Sequence, residues 1–304
     1  MTKFYSILLG GALLVSAAAP GYAGTESTTA SGATASGETE AVPLDLFTIQ
    51  SGYVFESDLN HGGSLGKQDE IQNEIEYAHR IQLKGNLYLH LGLSYDHYDF
   101  GSTSSPVPNH LQSISGVVGV DYMHGEDVGA FLQFRPGFYA QNDFGISSFD
   151  VPISFGRIFV IKPDKLYLFA GGYTAFLGDR PFVPLPGVIW IISDKLRLMG
   201  VAPDPRLIYS PTKKLDLWLG GEFVGGSFRT DHNPGIQPGK LRGAQVDFLD
   251  VRAGVGVKYD VNDHVSLDLS GGCSVQRQFD FARAGETYRT DPAPYVTLKM
   301  SAAF

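Results

Sequence analysis

The stretch Ala293-Pro294-Tyr295-Val296-Thr297-Leu298-Lys299-Met300-Ser301-Ala302-Ala303-Phe304 alternates strictly in its second half. Val296, Leu298, Met300, Ala302 and Phe304 share one side of an extended chain, and Tyr295, Thr297, Lys299 and Ser301 share the other. Side chains on a strand point to opposite faces with period two, so this is a strand with one apolar and one mainly polar face. The same texture runs back through the chain. In Leu87-Tyr88-Leu89-His90-Leu91-Gly92-Leu93-Ser94-Tyr95 the leucines and Tyr95 align against Tyr88, His90, Gly92 and Ser94. A helix would scatter those leucines around its circumference. Val251, Ala253, Val255, Val257 and Tyr259 repeat the pattern, as do Phe149, Val151, Ile153 and Phe155.

The connections alternate in length. Short ones at Lys84-Gly85-Asn86, His124-Gly125-Glu126-Asp127, Lys162-Pro163-Asp164, Ser193-Asp194, Ser210-Pro211-Thr212-Lys213 and Asp260-Val261-Asn262-Asp263 carry tight-turn residues. Longer ones are expected near 58–68, 99–109, 141–147, 178–186, 230–243 and 280–292. Short turns at one end and long loops at the other are the plan of an outer-membrane barrel. The sequence therefore predicts an all-β fold, a single antiparallel transmembrane β-barrel over 43–304 with 12–14 strands. Fourteen are favoured, and 12 result if a hairpin in the 183–210 region, around Ala202-Pro203-Asp204-Pro205, does not span. The even number places both the N- and C-termini on the periplasmic, short-turn side. A soluble sandwich also alternates, but its apolar face must fill a core; pairing an apolar face with a Gly-, Ser- and charge-bearing one in strand after strand suits lipid outside and water inside. Phe47, Tyr98, Tyr122, Phe138, Phe159, Phe176, Tyr209, Tyr259 and Phe281 fall near expected strand ends and are read as interfacial girdles.

Residues 1–23 read as a cleaved signal peptide: Lys3, an apolar core from Ile7 to Ala19, and Gly21-Tyr22-Ala23 before a cut at Gly24. Residues 24–42 are Gly, Ala, Ser, Thr and Glu with little to bury, a disordered linker. The chain of 304 residues carries a net charge of -9, which argues against nucleic acid as a partner. Its mean hydropathy is -0.03, as expected when apolar residues alternate with polar ones. The single cysteine, Cys273, excludes an intrachain disulfide.

The ending on Phe304 resembles the closing strand of bacterial outer-membrane barrels, in which a terminal Phe acts as an assembly signal. That resemblance implies the outer membrane of a Gram-negative envelope as location, and outer-membrane lipid and the barrel assembly machinery as partners. A narrower one lies in Pro184-Leu185-Pro186-Gly187-Val188-Ile189-Trp190, Pro203-Asp204-Pro205-Arg206-Leu207-Ile208-Tyr209, Leu217-Trp218-Leu219-Gly220-Gly221-Glu222 and Gly226-Ser227-Phe228-Arg229. These segments resemble an uncharacterised family of predicted outer-membrane barrels, catalogued as a domain of unknown function. The resemblance brings no activity or site residues, and makes 183–210 a shared structural device.

No catalytic constellation emerges. His264-Val265-Ser266 has the His-x-Ser spacing of outer-membrane phospholipases, but it sits beside a short turn and faces inward with Asp268 and Ser270. His90 and Ser94 are about 13 Å apart along a strand, too far for a base to reach a hydroxyl. His61 with Asp58, Asp69 and Glu70 is a weak metal candidate, read as solvated loop acids, and no cofactor is implied. The face opposite the apolar one supplies the lumen-facing charges Glu56, Glu74, Glu76, Asp96, Asp121, Arg135, Asp216, Glu222, Asp250, Arg252, Lys258 and Lys299, together with Arg80 and Asp268. Their acid excess leads to the expectation of a small porin-like channel for ions or small solutes, favouring cations. The alternative is a closed structural or loop-binding barrel, expected if arginine–carboxylate pairs fill the interior.

Overall fold

The computed structural model describes residues 44–304 except 104, 125–126, 180–181 and 233–240. The expected signal peptide, the linker and most of loop 230–243 lie outside the described residues. The chain forms β1 (Asp45–Asn60), β2 (Ser64–Lys84), β3 (Leu87–Phe100), β4 (His110–His124), β5 (Asp127–Phe134) and β6 (Gly137–Ala140). A short 3-10 turn (Ile146–Ser148) leads to β7 (Phe149–Asp150), β8 (Ile153–Lys162), β9 (Leu166–Thr174), β10 (Val183–Ser193), β11 (Leu196–Val201) and β12 (Arg206–Thr212). Then come β13 (Leu215–Arg229), β14 (Gln245–Asp260), β15 (Val265–Phe281), β16 (Glu286–Thr290) and β17 (Ala293–Ala303).

Neighbouring staves of the wall pair antiparallel, and β17 returns to β1 in the register Leu46↔Ala303 to Val54↔Tyr295. Three staves are broken in the middle: β5–β6 at Arg135-Pro136, β7–β8 at Val151-Pro152, and β16–β17 at Asp291-Pro292. All three breaks hold a proline, which cannot donate to a ladder. Counting each broken pair once gives a closed barrel of 14 staves. Closure is completed at Phe304, whose carbonyl accepts from Leu44 N at 2.6 Å and whose N–H donates to Asp45 O at 2.9 Å.

The outer surface is aliphatic and aromatic. Ile75, Leu93, Leu219, Val255, Leu269 and Leu298 all stand on it, Leu93 being 66% exposed. Such a continuous apolar belt is far larger than a soluble monomer leaves open to water. Tyr122, Phe159, Phe176, Tyr209 and Tyr259 are exposed near strand ends as expected. Tyr98 and Phe281 are not girdle residues: they are buried inside the barrel, because the strands that hold them run on beyond the belt. β2 has 21 residues and β15 has 17, whereas about 9–11 suffice to span. For the same reason 58–68 and 280–292 are mostly strand rather than long loops, with only His61–Gly63 between β1 and β2.

The other side of the barrel is low. β11 and β12 have 6 and 7 residues. Above them β13 continues with β14 as its ladder partner and meets β6 across the barrel in a parallel bridge at Arg229↔Ala140. The molecule therefore has two tiers, a wide ring of all staves and a narrower ring that bypasses β7–β12.

Candidate functional site

The interior of the barrel is the candidate site, and many of its inward side chains are buried polar ones. On β13–β15, β17 and β1–β4 the inward positions carry charge. Arg252 lies at the centre, 1% exposed. Its Nε donates to Asp250 Oδ2 at 2.6 Å, its Nη1 to Gln72 Oε1 at 2.8 Å and its Nη2 to Glu70 Oε1 at 3.1 Å. Asp250 also accepts from Ser274 Oγ at 2.5 Å. Arg277 donates to Glu70 Oε2 at 3.2 Å and to the Gln68 carbonyl at 2.7 Å. Since β14 and β2 are separated by β15, β17 and β1 along the wall, these bonds run across the lumen as a chord. Gln50 Nε2 to Glu222 Oε1, 3.3 Å, is a second chord.

Two further groups extend the network around the wall. Arg135, at the break between β5 and β6, donates to Glu76 Oε2 at 2.5 Å, while Asp96 accepts from Ser113 at 2.6 Å. Lower down, Arg80 donates to Asp121 at 3.0 Å, with His90 Nδ1 3.3 Å from the same oxygen. On the other side Arg206 lies 3.9 Å above the Trp218 ring and pairs with Asp204 and Asp268 at 2.5 and 2.6 Å; Trp218 Nε1 donates to Asp268 Oδ1 at 3.0 Å. Gly256 makes this possible, because a Cβ there would collide with the Trp218 indole.

The wall formed by β8–β10 is different. Its outer face carries Phe155, Phe159, Leu168 and Trp190, and its inner face is mostly apolar too, with Ile158, Phe169, Leu185 and Ile189, while Arg197 of β11 and Arg206 of β12 turn inward beside it and pair with Asp216 and with Asp204 and Asp268. The sequence expectation of a polar inner face in every strand fails here. Pro184-Leu185-Pro186-Gly187-Val188-Ile189-Trp190-Ile191-Ile192 is apolar on both sides. The lumen is thus two-faced, with paired charges around most of the wall and a mostly hydrocarbon stretch on β8–β10.

The upper tier holds a core of Leu59, Tyr98, Phe100, Leu111, Phe228, Phe248, Phe279 and Phe281, all at most 5% exposed. Its rings meet edge to face, Phe100 against Phe248 and Phe279 at 5.0 and 4.9 Å. This geometry favours aromatic pairs beyond their burial. The core gathers the long-loop ends of β1, β3, β4, β13, β14 and β15.

Of the lumen charges expected from sequence, the structure buries Glu74, Glu76, Asp96, Asp121, Arg135, Asp250 and Arg252, and leaves Asp216, Glu222, Lys258 and Lys299 half-buried. Glu56 is corrected: it is exposed, at a bulge between Val54 and Ser57 that inserts a residue and turns Ser57 and Leu59 inward instead. A second bulge, opposite Val251/Arg252, turns Arg277 inward, which strict alternation from Leu269 assigns outward. Glu70 was missed because Ser64–Lys84 is one long strand rather than a loop followed by a strand. Asp250 and Arg252 bond directly, without a third group. His61 pairs with Glu286 at 2.8 Å and stacks on Tyr288. Among the described residues no group of three or more side chains is arranged to hold a metal ion. The cation preference inferred from acid excess loses its basis, since Glu76, Asp96, Asp121, Asp216, Glu222 and Asp250 are all hydrogen-bonded or ion-paired.

No family model matches the sequence, so the resemblance to an uncharacterised barrel family gains no support. No curated protein matches it either. Among solved structures the chain is similar to an outer membrane channel from Pseudomonas putida F1, with 11% identity over 90% of this chain and 100% of that one and a TM-score of 0.48. It is also similar to the toluene transporter TodX of Pseudomonas putida, with 11% identity over 88% and 91% of the two chains and a TM-score of 0.42. The translocator domain of the autotransporter NalP from Neisseria meningitidis shows 12% identity over 88% and 90%, with a TM-score of 0.40.

Proposed function

We propose that the protein is an outer-membrane β-barrel that passes small uncharged apolar solutes and is shut to ions. The observation that carries this reading is the mostly apolar inner wall of β8–β10, with Ile158, Phe169, Leu185 and Ile189, beside inward charges that are largely paired, among them Arg197 with Asp216 and Arg206 with Asp268. An ion crossing such a lumen would shed its water without finding free ligands, whereas a hydrocarbon loses nothing by leaving water. The aliphatic outer belt supports a membrane location, and the inferred export route and the assembly role of Phe304 support the outer membrane in particular. The test has two parts. Refolded protein in a planar bilayer is expected to give no stepwise current under a salt gradient. Cells with an intact lipopolysaccharide leaflet are expected to take up N-phenyl-1-naphthylamine faster when they express the barrel. Stepwise current would overturn the reading. A second reading, a closed structural barrel, is favoured by the Arg252–Glu70 chord across the lumen, and predicts neither current nor faster uptake.

A further inference from the structure

We infer that the outer wall over β11–β15 and β17 seats one acidic glycerophospholipid, its acyl chain in a groove of the wall and its headgroup on the lysines of the short turns beneath. This rests on the membrane location alone, not on what crosses the lumen. The first observation is the groove, a depression of about 670 Å³ on the outer face. That lies within the roughly 300–1,000 Å³ of small-molecule sites. Leu196 and Tyr209 line one end, Leu219 and Val255 the middle, and Gly271 and Val296 the other end.

Strand register explains the depression. Leu219, Val255, Gly271 and Val296 stand opposite one another from β13 to β17, so they share the outer face. Leu219 and Val255 are both exposed, and so is Val296. Gly271 interrupts this row of side chains with none of its own. A Cβ there would meet one atom within 4 Å, the Tyr295 carbonyl oxygen at 3.2 Å. The dent is therefore open, not packed shut by its neighbours.

The groove has a direction. Leu196 opens β11 immediately after Lys195 and pairs with Tyr209, so this end lies at the short turns. Val296 lies well inside β17, so the other end reaches the middle of the belt. An acyl chain runs the same course, from headgroup level toward the midplane. Charge marks the end that takes the headgroup. Beneath Leu196 and Tyr209, the β10–β11 and β12–β13 turns carry Lys195, Lys213 and Lys214 against Asp194 alone, and Lys195 and Lys214 are exposed. The neighbouring β14–β15 turn carries Asp260, Asp263 and His264 instead. Tyr209, half-exposed at the low end, adds an interfacial hydroxyl.

A chain entering the groove leaves hydrocarbon for hydrocarbon, so the hydrophobic effect does not select it. The groove adds dispersion contact with a fixed concave wall, which a gap would forfeit. Selection comes from the headgroup. Each lysine near the surface favours an anionic lipid by about fivefold. A headgroup with a phosphodiester and no ammonium, as in phosphatidylglycerol, therefore outcompetes phosphatidylethanolamine at these turns. The seat lies over β11 and β12, the shortest unbroken staves, with 6 and 7 residues. The lipid thus covers the wall where its own ladder is least.

The experiment is native mass spectrometry of protein refolded into vesicles of phosphatidylethanolamine and phosphatidylglycerol in equal parts, then released in detergent. Folding of each variant is checked by heat-modifiable migration. The wild type is expected to retain one phosphatidylglycerol per chain. Lys195→Gln/Lys214→Gln is expected to lower the retained ratio of phosphatidylglycerol to phosphatidylethanolamine by about tenfold or more. Lys162→Gln/Lys165→Gln removes equal charge at the β8–β9 turn, where the groove does not reach, and is expected to leave the ratio unchanged. Gly271→Leu fills the dent and is expected to lose both lipids. Val296→Trp fills the same end from the next strand and gives the same reading if the glycine variant does not fold. Equal retention of the two lipids by the wild type, or an equal fall in both lysine variants, would overturn the headgroup site. Full retention by a folded groove variant would overturn the groove. A wild type that retains no lipid would overturn the seat altogether.

Discussion

Gln141 N donates to Arg229 O at 2.9 Å, joining two strands that the wall otherwise keeps apart by the whole of β7–β12. An eight-stranded barrel is narrow enough for side chains to fill, while barrels of about 16 strands leave water inside. This barrel lies between those sizes and solves the problem by pinching. The Gln141–Arg229 contact narrows the upper tier until aromatic side chains fill it, and the low wall beneath is left with an incomplete edge.

The pinch depends on Gly225. Its φ is +139°, and a Cβ would run into the Phe248 carbonyl of the neighbouring strand. Gly225→Val is expected to destabilise the barrel by about 2–4 kcal/mol, as a strained backbone and a clash both contribute. Gly285→Ala, at φ +70° with nothing within 4 Å, serves as the comparison and is expected to cost about 1 kcal/mol. Urea unfolding in micelles followed by electrophoretic mobility gives both values; equal costs would count against the pinch.

Arg252 holds two carboxylates out of water. Replacing it with Ala leaves Glu70 and Asp250 buried with less compensation, and a loss of about 3–5 kcal/mol is expected. The quadruple variant R252M/R277M/E70Q/D250N removes the network's two buried cations and two buried anions together and is expected to recover most of that loss. A quadruple variant no more stable than R252A would show that the chord acts by packing rather than by charge.

Neighbouring residues of β17 should respond in opposite ways. Leu298 is 52% exposed on the outer face, and Leu298→Arg is expected to cost about 2–4 kcal/mol of folding stability in vesicles. Thr297 is 4% exposed on the inner face, and its hydroxyl has no partner. Thr297→Val keeps the shape, and is expected to be neutral or stabilising by up to about 1 kcal/mol. The reverse order of effects would invert the assignment of faces.

The two tryptophans report on the two surfaces. Trp190 is 48% exposed on the outer wall, and Trp218 is 6% exposed inside, over Gly256. Brominated acyl chains should quench the fluorescence of W218F, which keeps Trp190, and leave W190F nearly unquenched. Equal quenching of both variants would contradict an inward Trp218.

Much of the fold was legible in the sequence. The period-two alternation of Val296, Leu298 and Met300 against Thr297 and Lys299 fixes a strand and its faces locally, because pleating needs no distant partner. Repeated along the chain, it gave the barrel, the 14 staves and most inward charges, Glu74, Glu76, Asp96, Asp121, Asp250 and Arg252 among them. Alternation fails wherever one extra residue enters a strand. The bulges at Val54–Ser57 and opposite Arg252 reversed Glu56 and Arg277, and nothing in those residues announces a bulge.

How the lumen charges pair was decided by the tertiary structure alone. The sequence names the charges of one wall, but pairing is a property of distance. Arg252 and Glu70 lie 182 positions apart and meet only because closing the sheet brings β14 opposite β2. The low wall and the pinch arise likewise from where strands stop relative to one another. Alternation along a single strand carries no record of its neighbour's height, so nothing in Val183 to Pro186 announces that β11 ends beside them.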